Sequence, residues 1–219
     1  MKPFLIKKSS SILFSMILTS VALAQKPEPP IPVEAFFGHE EFFFQMALKK
    51  SLTADHKFNF FALTTFTADY GADKEDDSMV IPVQLSYDIG KGFGVMAGAE
   101  ITNKSGFSPI IGPQFNYASR EWLIVNVSSF FLNEDSDFNI LGIYEYKPAF
   151  NENWALYIRL QFMVNRSLKL GTNNINYLHL RAGTTYGKLT FGLAVNFEQR
   201  GAEKGKAENY GLFVRWSFK

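Results

Sequence analysis

Apolar and polar residues alternate along most of the chain, in segments of about ten residues separated by turn-forming residues. In one such segment Leu156, Ile158 and Leu160 share one parity, whereas Tyr157 and Arg159 occupy the other. Successive side chains of a β-strand point to opposite faces, so this pattern predicts strands with one apolar and one polar face.

The pattern predicts eleven clear strands. They lie at Glu41–Leu52, Lys57–Asp69, Met79–Tyr87, Phe93–Thr102, Ser108–Tyr117, Trp122–Leu132, Phe138–Lys147, Trp154–Asn165, Asn176–Tyr186, Leu189–Gln199 and Glu208–Phe218. Tilted strands of this length span a hydrocarbon layer. Their connections alternate between tight turns and longer polar loops, as in outer-membrane barrels, where the short turns face the periplasm.

An odd number of strands does not suit a bacterial barrel, which has an even number. The segment from Val33 to Phe37 supplies one more strand, with Gly38 and His39 as its turn. We therefore predict an all-β, antiparallel transmembrane β-barrel of about 12 strands. Ten strands with an irregular N-terminal segment is the alternative.

The first residues have the features of a secretory signal peptide. Lys2, Lys7 and Lys8 precede the apolar stretch Ile12–Ala22, and Ala22–Ala24 is a small-x-small cleavage site. A transmembrane anchor is the alternative, but the apolar core is short for a span of about 20 residues. We predict a cleaved signal peptide at 1–24, a Pro-rich lead-in at 25–33 and a single barrel domain at 34–219. This organisation predicts the outer membrane of a Gram-negative bacterium as the location.

The composition of the chain excludes several kinds of site and several classes of protein. The chain has no Cys, which excludes disulfides, thiolate metal sites and Cys nucleophiles, and its net charge of +1 argues against a nucleic-acid binder. Aromatic residues reach 16% and include 23 Phe. A soluble β-protein also alternates, but large aromatics at strand ends are typical of membrane-interface girdles. These are Phe93, Trp154, Tyr186, Trp216 and Phe218.

Ionisable residues on the polar faces form the candidate site. We expect seven of them to line the lumen: Glu100, Glu145, Arg159, His179, Arg181, Glu198 and Arg215. Opposite charges on neighbouring strands can pair, and an unpaired buried charge costs several kcal/mol unless water reaches it. Two interpretations stay open, a charged constriction in a pore or a salt-bridged polar core in a closed barrel.

Nothing in the sequence forms a convincing catalytic or metal site. The three histidines are His39 in the turn of the N-terminal segment, His56 in a predicted periplasmic turn and His179 on an inward face. None has the His-x-Ser pattern of a lipid A deacylase barrel, and Asp55–His56 lies at the wrong end for a barrel protease. The acidic loops lack the EF-hand register. We expect no catalytic residue, no metal and no cofactor, and therefore not an enzyme.

Three features carry a resemblance to a known group of proteins. Gly106–Pro109 precede a Gly-x-Gln-Phe strand at Gly112–Phe115, Tyr144–Pro148 precede an Asn-Glu-Asn-Trp turn, and the C-terminal strand is aromatic. On these features the chain resembles small porin-like outer-membrane β-barrel proteins of the Bacteroidota type. The resemblance implies a porin-like or transport barrel without catalytic residues. It also implies that the barrel assembly machinery recognises the strand ending at Phe218, although Lys219 departs from that pattern.

The sequence therefore predicts a narrow pore or porin-like transporter of small solutes. A non-conducting structural or adhesive barrel is the alternative, and a lipid-modifying barrel enzyme fits less well. The expected partners are outer-membrane lipid, lipopolysaccharide and the barrel assembly machinery. We expect a monomer that does not bind nucleic acid.

Overall fold

The protein is represented by a computed structural model, which describes residues 29–71, 77–201 and 205–218. The predicted signal peptide (1–24) and residues 25–28 of the predicted lead-in lie outside the described residues. Within those ranges no helix is long and apolar enough to cross a membrane. The strands are β1 (Ile31–Gly38), β2 (Glu41–Ser51), β3 (Phe58–Asp69), β4 (Ser78–Gly90), β5 (Phe93–Thr102), β6 (Gly106–Ala118), β7 (Trp122–Phe131), β8 (Asp137–Tyr146), β9 (Trp154–Ser167), β10 (Asn173–Tyr186), β11 (Leu189–Arg200) and β12 (Gly205–Phe218).

The described strands form one closed antiparallel barrel of twelve strands, as predicted. Each strand pairs with its neighbours in the chain, and β1 pairs with β12 from Ile31↔Phe218 to Gly38↔Gly211. The ten-stranded alternative is wrong. β1 begins at Ile31, two residues before the predicted start of this strand, so the end of the predicted Pro-rich lead-in (25–33) belongs to the barrel wall.

The two ends of the barrel are named here by what lies there. The terminal rim carries the paired residues Ile31 and Phe218, and the distal rim carries the connection between β1 and β2. The predicted contrast in loop length is weaker than expected. β9 continues to Ser167 and β10 starts at Asn173, because residues predicted as loop extend the strand pair instead.

The outer face of the barrel is apolar, as the alternation predicts. In β9 Ile158, Leu160 and Val164 are exposed on the outside, whereas Arg159 and Gln161 are buried inside. Aromatic pairs ring the terminal rim on this outer face, each joining two neighbouring strands. They are Phe58–Tyr87, Phe93–Phe115, Trp122–Tyr146 and Trp154–Tyr186, with centroids 4.9, 4.9, 4.5 and 4.8 Å apart. Such a girdle is typical of a membrane–water interface.

The interior is divided into two parts of different chemistry. One part is aliphatic and lies against β5, β6 and β7, where Met96, Ile110 and Val127 pack together. The other combines aromatic side chains with charged ones, and its aromatic members Phe36, Phe43 and Phe213 come from β1, β2 and β12. Side chains from both parts therefore occupy the space that a wider barrel would leave to water.

The seam between β1 and β12 is held at the distal rim by Asn209. Its Oδ1 accepts the Glu40 N–H at 3.2 Å, and its Nδ2 donates to the Glu41 carbonyl at 2.8 Å. The side chain passes directly over Gly38, where a Cβ would lie 1.9 Å from Asn209 Oδ1. Gly38 is therefore required for this close approach, and Asn209 fixes the turn that begins β2.

We expect Asn209→Ala to lower the free energy of unfolding by about 1–3 kcal/mol, because two part-buried backbone groups lose the buried side chain that binds both of them. Asn103→Ala is the matched control. Asn103 also bonds two backbone groups, Met79 N–H and the Asp77 carbonyl, but it is exposed, so water can replace it. Urea unfolding in detergent micelles measures both variants, and equal losses would contradict the seam role of Asn209.

Candidate functional site: the barrel lumen

Glu34 connects strands that are not neighbours in the barrel wall. Its Oε1 accepts hydrogen bonds from Arg159 Nη2 at 2.6 Å and from Arg181 Nε at 2.8 Å. Glu34 lies on β1, whereas the two arginines lie on β9 and β10, which are not neighbours of β1 in the sheet. All three residues are about 2% exposed. The bridge therefore crosses the lumen instead of running along the wall.

A second carboxylate makes a similar crossing. Glu145 of β8 accepts hydrogen bonds from Arg215 Nη1 of β12 at 2.6 Å, from Lys147 Nζ at 3.0 Å and from the Tyr157 hydroxyl at 2.9 Å. Arg215 Nη1 also contacts the Tyr157 hydroxyl. We call Glu34, Glu145, Lys147, Tyr157, Arg159, Arg181 and Arg215 together the charged cluster. It contains four cationic groups and two carboxylates.

Aromatic rings hold Arg181 in place. Its guanidinium carbon lies 4.8 Å from the centroid of Phe36, 5.8 Å from Phe43 and 5.9 Å from Phe213. Its Nη1 donates to Asn196 Oδ1 at 2.8 Å. Contacts between a cation and ring faces strengthen when water is excluded. Arg181 is thus fixed in one position by rings on three strands.

Several buried polar atoms of the charged cluster have no hydrogen-bond partner within the described residues. They include Glu34 Oε2, Arg159 Nε and Arg181 Nη2. A buried charged group without a partner costs several kcal/mol, so such atoms are expected to meet water or a polar solute.

A cavity of about 410 Å³ leads from the terminal rim to the charged cluster. Pro30 and Ser217 line its outer part, and Glu34, Arg159 and Arg215 line its inner part. We call this cavity the vestibule. The charged cluster therefore faces solvent from the terminal side.

The fold has counterparts among solved structures. The NanC porin matches with a TM-score of 0.52 at 10% identity, covering 86% of this chain and 99% of that one. The KdgM porin matches with a TM-score of 0.47 at 10% identity over the same shares of the two chains. LpxR from Salmonella typhimurium matches with a TM-score of 0.49 at 7% identity, again covering 86% and 99%.

The chain thus shares its closed twelve-strand barrel fold with the NanC porin. At this identity the likeness concerns the fold alone. No family model matches the chain, and no curated protein matches it either. The Bacteroidota type inferred from the sequence stays a prediction.

The closed barrel brings four of the seven candidate residues together. Glu145, Arg159, Arg181 and Arg215 all belong to the charged cluster. Glu100 faces the interior on β5, opposite Ser108, and lies outside the cluster. That all seven candidates line the lumen and take part in transport remains a prediction.

His179 and Glu198 lie further toward the distal rim. His179 Nε2 is 3.9 Å from Glu198 Oε1, which is too long for a hydrogen bond. Glu198 Oε2 instead accepts two bonds from Arg200, at 2.8 and 3.0 Å. His179 stacks on Tyr177 with centroids 4.3 Å apart. His179 and Glu198 therefore lie on the distal side of the charged cluster and are not part of it.

The other two histidines lie far from the lumen cluster. His39 stacks on Tyr210 at the distal rim, with centroids 3.8 Å apart. His56 lies in a turn at the terminal rim, where the Thr53 hydroxyl donates to Asp55 at 2.6 Å and lowers the pKa of that carboxyl. Asp55 is thus engaged in its own turn. Among the described residues there is also no group of three or more His, Asp or Glu side chains suited to a metal ion.

Glu34 is the central residue that the sequence reasoning missed. It lies within the segment proposed as an extra strand, but it was not assigned to the lumen. The alternation contained the signal, because Val33, Ala35 and Phe37 take the outward parity and leave Glu34 and Phe36 inward. What could not be read from the pattern is that a carboxylate on β1 reaches arginines on β9 and β10.

Proposed function

We propose that the protein is a narrow outer-membrane pore for small solutes, with a preference for anions. The observation that carries this proposal is the charged cluster, which crosses the lumen and retains buried polar atoms without protein partners. Its four cationic groups exceed its two carboxylates, so the constriction has a surplus of positive charge. Charge of one sign in a cleft with low-dielectric walls concentrates solutes of the opposite sign.

We further propose an orientation with the terminal rim in the periplasm and the distal rim outside the cell. The apolar outer face and its aromatic girdle support contact with outer-membrane lipid, including lipopolysaccharide in the outer leaflet. Assembly would then use the barrel assembly machinery through β12. A single chain encloses the lumen, which supports action as a monomer.

The test is single-channel recording in planar bilayers with a KCl gradient. We expect small, discrete conductance steps and a reversal potential that indicates preference for chloride over potassium. A membrane that stays sealed at high protein load would overturn the pore, and a preference for potassium would overturn the selectivity.

A closed structural barrel is the second candidate. Phe36 and Gln161 are 0% exposed, so large side chains fill part of the lumen at the level of the charged cluster. That filling favours a barrel without flow. The same recording decides between the two candidates, because only the pore produces conductance steps.

We propose transport and not catalysis, since the arrangement of the three histidines supports no shared site. His39, His56 and His179 lie at the distal rim, in a turn at the terminal rim and inside the lumen. A hydrolytic site needs a nucleophile and a base within hydrogen-bond reach of each other.

A further inference from the structure

The vestibule has two walls of contrasting chemistry. One wall is aliphatic and consists of cross-strand pairs on β7 and β8, Val125↔Ile143 and Val127↔Leu141. Leu123 extends it toward the terminal rim. A pore for small hydrated solutes alone has no need of such a wall, because apolar surface in contact with water is unfavourable by about 25 cal/mol per Å².

The adjoining wall is rich in cationic groups. Arg159 and Arg215 stand at the inner end of the vestibule, and Lys49 and Lys147 line it nearer the terminal rim. The two walls meet directly, because Leu123 pairs with Glu145, which binds Arg215. An apolar surface and a cationic surface therefore face the same enclosed space.

The carboxylates of the vestibule do not cancel this charge. Glu34, Asp88 and Glu145 line the cavity, against four cationic residues. Glu34 is bound by two arginines, one of which, Arg181, lies behind the cavity wall. Glu145 is bound by Arg215 and Lys147. An incoming anion would therefore meet an excess of positive charge.

One buried donor is available for such an anion. Arg159 is 2% exposed and lines the vestibule, and its Nε has no partner among the described residues. A guanidinium presents its donors in a fixed geometry that matches carboxylate, sulfonate or phosphate oxygens. This unpaired donor indicates a position for the anionic group.

We propose that the vestibule binds small amphipathic anions, with the anionic group against Arg159 and Arg215 and the apolar body against the aliphatic wall. The ligand would be an organic acid with a compact apolar body that fits within about 410 Å³. The proposal names the class of solute that the proposed pore would carry. Only the transport of these anions rests on the proposed function, because binding in the vestibule does not require flow through the constriction.

Calorimetric titration of the protein in lipid nanodiscs tests the proposal, with empty nanodiscs as background. The probe is naphthalene-2-sulfonate. Methanesulfonate keeps the charge without the apolar body, and naphthalene-2-methylammonium keeps the body with the opposite charge. We expect saturable binding of the first probe and at least roughly tenfold weaker binding of the other two, given the worth of a charged hydrogen bond and of buried apolar area.

Variants of each wall assign the binding to the vestibule. Val125→Thr and Leu141→Thr add polarity to the aliphatic wall, and Lys49→Met and Lys147→Met remove cationic charge. Each is expected to weaken binding of naphthalene-2-sulfonate several-fold. Lys188→Met is the control, because Lys188 lies in the β10–β11 turn outside the vestibule lining, and it should bind as the wild-type protein does. Two variants per wall ensure that a folding failure in one leaves the other to decide.

Three results would overturn the proposal. They are no saturable binding of naphthalene-2-sulfonate, equal binding of the naphthalene cation, or binding that both variants of a wall leave unchanged. Saturable binding by a protein that leaves bilayers sealed would retain the vestibule site and reject the pore. Conductance without binding would retain the pore and reject the site.

Discussion

Glu34→Gln is expected to lower the free energy of unfolding of the barrel by about 3–5 kcal/mol, the cost of breaking a buried ion pair by removing one partner. The substitution preserves the shape of the side chain but leaves Arg159 and Arg181 buried without their carboxylate. Urea unfolding in detergent micelles, followed by the heat-modifiable shift in gel mobility, measures the loss.

Glu40→Gln is the matched control for this effect. Glu40 is the same residue type on the distal rim, its side chain is 68% exposed, and its Oε1 lies 3.4 Å from His39 Nε2. Exposed pairs contribute little, so a change within about 0.5 kcal/mol is expected. Similar losses for Glu34→Gln and Glu40→Gln would contradict the central position of Glu34 in the lumen.

Leu193→Arg is expected to destabilise the barrel in a bilayer by about 2–4 kcal/mol, the cost of a lipid-facing arginine near the midplane. Leu193 lies on the outer face near the middle of β11 and is 66% exposed to the surroundings of the barrel. On a soluble protein the same change would be nearly neutral, since surface substitutions rarely exceed about 0.5 kcal/mol. Unfolding from liposomes measures the effect.

Leu168→Arg is the matched control, because it introduces the same side chain at a different depth in the membrane. Leu168 follows β9 at the distal rim and is 54% exposed, so the same replacement falls near the interface. There the cost of a lipid-facing arginine falls to about 0–1 kcal/mol. If Leu168→Arg were as costly as Leu193→Arg, the proposed position of the barrel in lipid would be wrong.

The barrel could be predicted from the sequence because two-residue alternation is a local property. The alternation within a strand is enough to assign its outward and inward faces, as Ile158 and Arg159 show in β9. Closure of the barrel then requires an even number of strands. The extra strand near Glu34 was predicted on that ground, although its start at Ile31 was not. In the β9–β10 hairpin the predicted end of β9 at Asn165 was too early and the predicted start of β10 at Asn176 was too late, since polar residues there continue the ladder between the two strands.

The charged cluster could be predicted only in part. Alternation places Glu145, Arg159 and Arg215 on the inward face, but it does not reveal which of them meet. Pairing across the lumen depends on the curvature of the closed sheet and on the direction of long side chains. Neighbouring-strand pairing was the sequence expectation, whereas the structure joins β1 to β9 and β8 to β12. The stacking of the buried His179 on Tyr177 could not be read from the alternation either.

The most direct test of a conducting charged cluster is single-channel recording on a joint replacement, Glu34→Met with Arg159→Met and Arg181→Met. Replacing a buried ionic group by apolar residues of similar volume is often neutral for stability, so the variant should remain a folded, heat-modifiable barrel. We expect wild-type protein to show small anion-preferring steps and the joint variant to lose them, because methionine side chains make the lumen apolar at the level of Glu34 and exclude water there. Unchanged steps and an unchanged reversal potential in the joint variant, or a wild-type protein that leaves the bilayer sealed, would contradict conduction through the charged cluster.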